Sequence, residues 1–214
     1  MRLYTYFRSS AAFRVRIALN LKGLAYEALP VDIRPAATQH TWPSFLAVNP
    51  EGLVPALEDQ AATLSQSLAI IEYLEEAYPE PALLPRSAID RARVRGMALA
   101  VACEVHPLNN LRVLNYLRSP LGHDEEAVKT WARHWIGVTF RALEEQARRY
   151  SGDGKHLFGE TVTLADVCLI PQMYNARRFK CDLESYPTLR SVYANLESRP
   201  AFARAAPEAQ PDAS

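Results

Sequence analysis

The stretch from Tyr78 to Pro85, YPEPALLP, carries three prolines within seven residues. Proline lacks a backbone N–H and locks φ, so neither a regular helix nor a central strand runs through such a stretch. The chain breaks there, and the patterns on its two sides differ. Before it, short alternating segments interleave with amphipathic ones; after it only helical spacing recurs. This division predicts a small α/β domain followed by an all-helical one and excludes one sheet running the whole length. The expected boundaries are residues 1–80 for the first domain, 81–87 for a semi-rigid Pro-rich linker and 88–214 for the second. With 214 residues, 49% of them hydrophobic, the chain is long enough for two modest cores.

Met1–Phe7 reads as a strand, with Leu3 and Thr5 on one face and Tyr4 and Tyr6 on the other. Ser10–Leu21 reads as a helix on the spacing of Val15, Ala18 and Leu19, with Arg14 and Arg16 on other faces. Ser9 or Ser10 can cap its start and Gly23 can close its end. A strand over Tyr26–Val31 and a short irregular helical stretch over Thr41–Val48 follow. Leu53–Glu58 and Ala62–Leu64 form a hairpin, and Ser67 caps a helix striped by Ile71, Leu74 and Tyr78. The order is β-α-β-α-β-β-α. Beyond the prolines, Ile89–Arg118, Glu125–Tyr150, Leu164–Arg178 and Leu189–Leu196 carry helical patterns, and a polar tail runs from Ala205 to Ser214. Thr163-Leu-Ala-Asp166 resembles a capping box before an apolar run, a structural device with no catalytic role.

Charge and cysteine usage exclude several functions. With 24 basic and 24 acidic residues there is no broad electrostatic footprint for nucleic acid or an anionic membrane, so an anion site must be local. Twenty of the basic residues are Arg. Coding bias accounts for most of them, but Arg also grips carboxylates in a bidentate way that Lys does not match. Cys103, Cys168 and Cys181 form no CxxC and sit near no His pair at zinc spacing, so neither a disulfide framework nor a metal site is expected. Free thiols suit a reducing compartment. MRLYTYFRSSAAFR lacks the apolar run of a signal peptide, and nowhere do ~20 apolar residues run unbroken. A soluble cytoplasmic protein is expected.

Four places carry candidate chemistry. Ser9 and Ser10 stand at a strand-to-helix join, where free N–H groups and the positive helix end meet; a hydroxyl there either caps the helix or donates to an anion. Val54-Pro55, if cis, would turn the Val54 N–H and C=O outward toward a peptide-like ligand. Gln66 and Ser67 offer an amide, a hydroxyl and a helix N-terminus, enough for an α-amino acid carboxylate or for a simple cap. His106-Pro-Leu-Asn-Asn-Leu-Arg112 is polar for mid-helix, and Pro107 would kink that helix. Arg177 and Arg178 could complement a helix dipole.

Six segments in order carry a resemblance: FRSSAAFRVRIALNLKG from Phe7 to Gly23, Asn49-Pro50 with Val54-Pro55, QSLAIIEYLE from Gln66 to Glu75, HPLNNLRVL from His106 to Leu114, NARRFKCDL from Asn175 to Leu183, and Ala206-Pro207 with Gln210-Pro-Asp212. Together they resemble, nearly end to end, the cytosolic glutathione transferases, specifically the zeta class with its bacterial maleylacetoacetate and maleylpyruvate isomerases. The resemblance implies a thioredoxin-like, glutathione-binding N-terminal domain, an all-helical second domain and a homodimer. By position, it implies that Ser9 stabilises the glutathione thiolate with Ser10 beside it. His40, His106 and Asn110 would help hold the tripeptide, Val54 would pair with its cysteinyl backbone, and Gln66 with Ser67 would take the γ-glutamyl end. Arg8, Arg112 and Arg178 would grip the carboxylates of an unsaturated keto diacid.

The activity so implied is glutathione-dependent cis–trans isomerisation of maleylacetoacetate to fumarylacetoacetate in aromatic catabolism. Maleylpyruvate is the alternative substrate, and a generalist transferase that conjugates or dehalogenates is the alternative enzyme. A non-catalytic module of the same fold is a third reading, against which the intact Ser9, Gln66 and Ser67 speak. Two departures stand out. Many zeta-class proteins have Cys where this chain has Ala11, which puts thiol-based side activities in doubt. Some maleylpyruvate isomerases carry Arg-Arg after the paired Asn, where this chain has Leu111-Arg112, which favours maleylacetoacetate.

Overall fold

In the computed structural model, which describes residues 1–34 and 37–213, the chain divides into two compact units. Met1–Ala82 and the chain from Arg199 onward make the first, and Leu83–Ser198 the second. The first unit runs β1 (Arg2–Thr5), α1 (Ser10–Leu21), β2 (Glu27–Pro30), α2 (Pro43–Leu46), β3 (Ala56–Asp59), β4 (Ala62–Ser65) and α3 (Ser67–Ala77). Its sheet has the order β2-β1-β3-β4, with β1 parallel to β2 and antiparallel to β3, and β4 closing a hairpin on β3. The expected order of elements therefore holds. Leu3 and Leu57, paired across β1 and β3, are buried with Val15, Ile17, Ala18 and Leu19 of α1 and Ile70, Ile71 and Leu74 of α3. Tyr6, Val31, Phe45 and Val54 form a second cluster, flanked by Tyr4, Phe7, Ile33 and Val48.

Helix α1 starts and stops where its residues dictate. Ser9 is the N-cap, its Oγ accepting from the Ala12 N–H at 3.2 Å. At the other end Gly23 takes φ +67, while Leu24 N–H bonds Leu19 C=O at 3.0 Å and Gly23 N–H bonds Asn20 C=O at 3.2 Å, the Schellman pattern. The expectation that Arg14 and Arg16 lie off the packed faces is corrected, since they are 1% and 0% exposed. Phe13, Val15, Ile17, Ala18 and Leu19 spread apolar surface right round the helix, which leaves no solvent stripe for either guanidinium. Ser67 is also corrected as a cap. Gln66 takes that place with φ +66, and Ser67 is the first helical residue.

A fully buried ammonium ties α1 to α3. Lys22 Nζ donates to Glu75 Oε2 at 2.9 Å, Tyr78 C=O at 2.8 Å and Pro81 C=O at 3.1 Å, using all three of its donors. In the stretch expected as a semi-rigid linker, 81–87, Pro81, Ala82, Arg86 and Ser87 are exposed. Leu83 and Leu84 are buried, and the Leu83 C=O accepts from the Leu164 N–H at 2.8 Å, so the second unit begins at Leu83.

In the second unit, the single helix expected over Ile89–Arg118 is interrupted. It comprises α4 (Ala88–Leu99), a π-helical segment Ala100–Val105, the short α5 (His106–Leu108) and α6 (Leu111–Arg118). Pro107 supplies no N–H to the ladder, and the widened turn precedes it directly. Helix α7 (Glu125–Tyr150) has Asp124 as its N-cap, Glu125 and Glu126 in its first turn and Arg148 and Arg149 in its last, all matched to the dipole. Helix α8 (Leu164–Arg178) is buried from Leu164 through Met173. Its capping box forms as expected: buried Asp166 accepts from Thr163 N–H at 2.8 Å, Thr163 Oγ1 at 3.0 Å and Leu157 N–H at 2.7 Å. Helix α9 (Pro187–Leu196) starts against Glu144, whose carboxylate accepts the Thr188 and Leu189 N–H groups, each at 3.0 Å.

From Arg199 the chain rejoins the first unit, so the helical domain expected over 88–214 gives up its last segment. Helix α10 (Pro200–Ala203) receives the Asn20 amide on its Ala201 C=O at 2.9 Å. The segment read as a polar tail is packed as well: Ala205, Pro207 and Gln210 are buried, and Gln210 Nε2 donates to Arg204 and Ala206 C=O, both at 2.9 Å. No helix among the described residues is long and apolar enough to cross a membrane. No metal-holding group of His, Cys, Asp and Glu occurs among them either.

Candidate active site

The β1–α1 turn carries Arg8, Ser9 and Ser10. Ser9 uses its oxygen as the cap acceptor for Ala12 N–H, so the hydroxyl proton remains free to donate. Its own N–H donates to Tyr6 C=O at 3.0 Å and its C=O accepts from Phe13 N–H at 2.8 Å, which fixes the backbone on both sides. The first turn of α1 holds no acidic side chain, so the positive helix end stays uncompensated beside that hydroxyl. Ser10 is buried in the first turn. Arg8 is exposed, donates to the Tyr6 hydroxyl at 3.2 Å and lies over the Phe7 ring at 4.9 Å.

A second helix N-terminus belongs to α3. Gln66 is exposed, with a left-handed φ that costs a non-glycine residue of order 1–3 kcal/mol and so marks a constrained position. Its Nε2 donates to Glu51 Oε2 at 2.7 Å, and Ser65 Oγ donates to Glu51 Oε1 at 3.3 Å. Ser67 is buried and accepts from Arg14 Nη1 at 3.1 Å, so the arginine of α1 sets the serine of α3. No acid stands in the first turn of α3.

Between these ends runs the 49–55 loop. Buried Asn49 organises it, donating to Leu53 C=O at 2.8 Å and accepting from Glu51 N–H at 3.1 Å. Val54-Pro55 is cis, and among the described residues neither the N–H nor the C=O of Val54 has a backbone partner. Gly52, at φ +62, faces the turn that carries His40: a Cβ there would lie 3.1 Å from His40 C=O. His40 Nδ1 is buried with no hydrogen-bond partner among the described residues.

The remaining sequence candidates belong to the second unit. His106 opens α5, and Asn110 caps α6 by accepting from Arg112 N–H at 3.1 Å. Trp131 Nε1 holds the connecting turn through Leu108 C=O at 2.8 Å. Arg112 is exposed and forms no ion pair among the described residues. Arg178 ends α8, donating to Asn175 Oδ1 at 3.1 Å and lying 5.8 Å from the Phe179 ring. Its neighbour Arg177 is paired with Glu197 at 3.3 Å.

Sequence reasoning missed Arg14, Arg16 and Glu51 as parts of this arrangement. Arg16 donates to Thr5 Oγ1 at 2.8 Å, Tyr6 C=O at 3.3 Å, Phe7 C=O at 2.9 Å and Ala205 C=O at 2.9 Å. Burial pushes its guanidinium down to about 10, against the opposing influence of Tyr26 and Asp212, so it stays protonated at neutral pH. The apolar surface right round α1 places both arginines inside but does not show what they bind.

Known proteins resemble the chain along nearly its whole length. The model for the glutathione S-transferase N-terminal domain matches residues 3–82, and that for the C-terminal domain matches residues 109–200. The chain is 50% identical over 213 residues to the maleylacetoacetate isomerase of Pseudomonas aeruginosa, covering 99% of this chain and 98% of that one. A holo structure of a maleylpyruvate isomerase, described as a bacterial glutathione S-transferase in the zeta class, is 49% identical, covers 100% of both chains and superposes with a TM-score of 0.97. The maleylacetoacetate isomerase of Methylobacterium extorquens AM1, solved with bound malonate and glutathione, is 40% identical over 100% of both chains, with a TM-score of 0.94. This chain belongs to the glutathione S-transferase family, in its zeta class.

Proposed function

We propose that the protein is a glutathione-dependent cis–trans isomerase that converts maleylacetoacetate to fumarylacetoacetate. The observation that carries the reading is Ser9, whose oxygen is engaged as a helix cap while its proton is free, at a helix end without a compensating acid. The chain's residues fit glutathione. Gln66 and Ser67 suit the γ-glutamyl carboxylate at the N-terminus of α3, and Val54 offers a peptide backbone an N–H and a C=O that have no backbone partner among the described residues. His40 offers a buried ring nitrogen with no partner among the described residues, and we assign His106 and Asn110 to the tripeptide as well.

When bound, glutathione supplies a thiolate that adds reversibly to the cis double bond, so that rotation about the resulting single bond and expulsion of the thiolate give the trans acid. A free thiol has a pKa of ~8.5, so at neutral pH most of it is protonated. The Ser9 hydroxyl donates to the thiolate, Ser10 stands beside it in the first turn, and the α1 dipole adds to the stabilisation; together these hold the thiol pKa down. Arg8, Arg112 and Arg178 hold the substrate's carboxylates and the negative charge that develops on its carbonyl oxygen during addition.

A hydrogen bond to a charged group is worth about 1.5–3 kcal/mol, so Ser9→Ala lowers kcat about ten- to a hundredfold. Arg178→Ala chiefly raises KM for the diacid. Unchanged kinetics in both variants would remove these roles. Maleylpyruvate remains the second reading, since identity to isomerases named for either acid is nearly equal, 50% and 49%. A side-by-side kcat/KM measurement on the two acids decides it, with chloro-aromatic conjugation as the control for a generalist transferase. The reading also includes a cytoplasmic homodimer, for which light scattering on a sizing column should give twice the chain mass.

A further inference from the structure

We propose that Arg16 and Asp212 are positioning residues that hold the turn before Ser9 in the geometry needed to stabilise the bound thiolate. The inference rests on the reading of Ser9 above. Tyr6 C=O accepts the Ser9 N–H at 3.0 Å, and the same carbonyl accepts from Arg16 Nη1 at 3.3 Å. Arg16 also grips the carbonyl on one side of Tyr6 and the side chain on the other, with Nη2 to Phe7 C=O at 2.9 Å and Nη1 to Thr5 Oγ1 at 2.8 Å. One fully buried guanidinium thus fixes three successive residues of the turn from inside. From the returning C-terminal segment, Asp212 Oδ2 accepts the Phe7 N–H at 2.9 Å. Phe7 is therefore held at both its N–H and its C=O, one by Asp212 and the other by Arg16.

The C-terminal segment is attached to the same guanidinium, because Arg16 Nε donates to Ala205 C=O at 2.9 Å. Asp212 also supplies a negative charge that favours the protonated form of Arg16. Neither residue meets the ligands in this scheme. They fix the approach of β1 into α1, and a shift of that approach moves Ser9 Oγ while leaving the Gln66–Ser67 subsite in place. The effect belongs to the thiolate and not to the affinity for the tripeptide.

The test is the thiol pKa of enzyme-bound glutathione, read from thiolate ultraviolet absorbance across a pH titration, beside kcat and KM. Asp212→Ala should raise that pKa by about one unit and lower kcat at neutral pH about five- to tenfold, with KM for glutathione within about twofold. Asp212→Asn, which keeps an acceptor for Phe7 N–H, should recover most of the loss. A folded Asp212→Ala enzyme with the parental thiol pKa overturns the proposal, whatever its melting temperature. Ser9→Ala, titrated alongside, separates the two readings. If Ser9→Ala shifts the pKa and Asp212→Ala does not, positioning fails and the Ser9 role stands; if Ser9→Ala shifts nothing, the Ser9 role fails and positioning with it.

Discussion

At the scale of single residues, the site depends on side chains whose charge or hydroxyl is set by a buried neighbour. Ser67 takes its hydrogen bond from Arg14, so Arg14→Met frees a hydroxyl that the reading assigns to glutathione. One lost bond of about 1 kcal/mol predicts a Kd for glutathione about fivefold higher, measurable by calorimetry. Burial pushes the Cys181 thiol up to about 11, so it stays protonated at pH 8. Iodoacetamide at that pH should leave the Cys181 peptide unmodified in the native protein and alkylate it once the chain is unfolded, as mass spectrometry would show. Ser9 was legible as a cap from its residue type, whereas at α3 the cap read at Ser67 lies one residue earlier, at Gln66. The roles of all three come from the resemblance to the zeta class. Arg14, Arg16 and Asp212 were not legible. A charged side chain reads as surface unless its distant acceptors are known, and those of Arg16 include the carbonyl of Ala205, which no local pattern connects to α1.

Among the elements, the start of α8 rests on Asp166, which satisfies three buried donors. Asp166→Ala leaves them unpaired and should cost about 3 kcal/mol, lowering Tm by roughly 6–12 °C in a chain of this size. The hairpin and α3 are joined by Asp59, which accepts from Tyr73 Oη at 2.8 Å and Tyr78 Oη at 3.0 Å. The Asp59 hydrogen bond pushes the Tyr73 phenol from its ordinary 10.0 up to about 12. A raised acid pKa in the folded state means that this support is complete below pH ~10 and is lost as pH climbs through about 12. Phenolate absorbance should accordingly show Tyr73 ionising late, and in Asp59→Asn it should ionise earlier. Helices α1, α7 and α8 follow their spacing because caps bound them, and α7 and α8 have dipole-matched ends as well. The interruption between α4 and α6 was only half legible: Pro107 signals a break, but the widened turn ahead of it depends on how the helix packs rather than on periodicity.

For the whole molecule, the prolines after Tyr78 gave the division into an α/β unit and a helical one, because a missing N–H acts locally and needs no tertiary context. The return of the chain from Arg199 to the first unit escaped the sequence reading, since its contacts with Asn20, Arg16 and Phe7 span nearly the full length. Glutathione that binds the native state alone should stabilise the protein by about 2.7 kcal/mol at a hundred times its Kd. Thermal unfolding with and without the tripeptide checks this, and an unmoved Tm would remove glutathione from the function. The interleaving also sets an order in time. A ribosome delivers the N-terminal side of a chain first, and domains fold as they emerge. Here the strand, turn and helix that carry Ser9 are made before the helical unit, yet the carboxylate that grips Phe7 is translated after all of Leu83–Ser198. A nascent chain can therefore bury most of its first core early, but Ser9 is held as in the finished protein only after the whole helical unit has been synthesised.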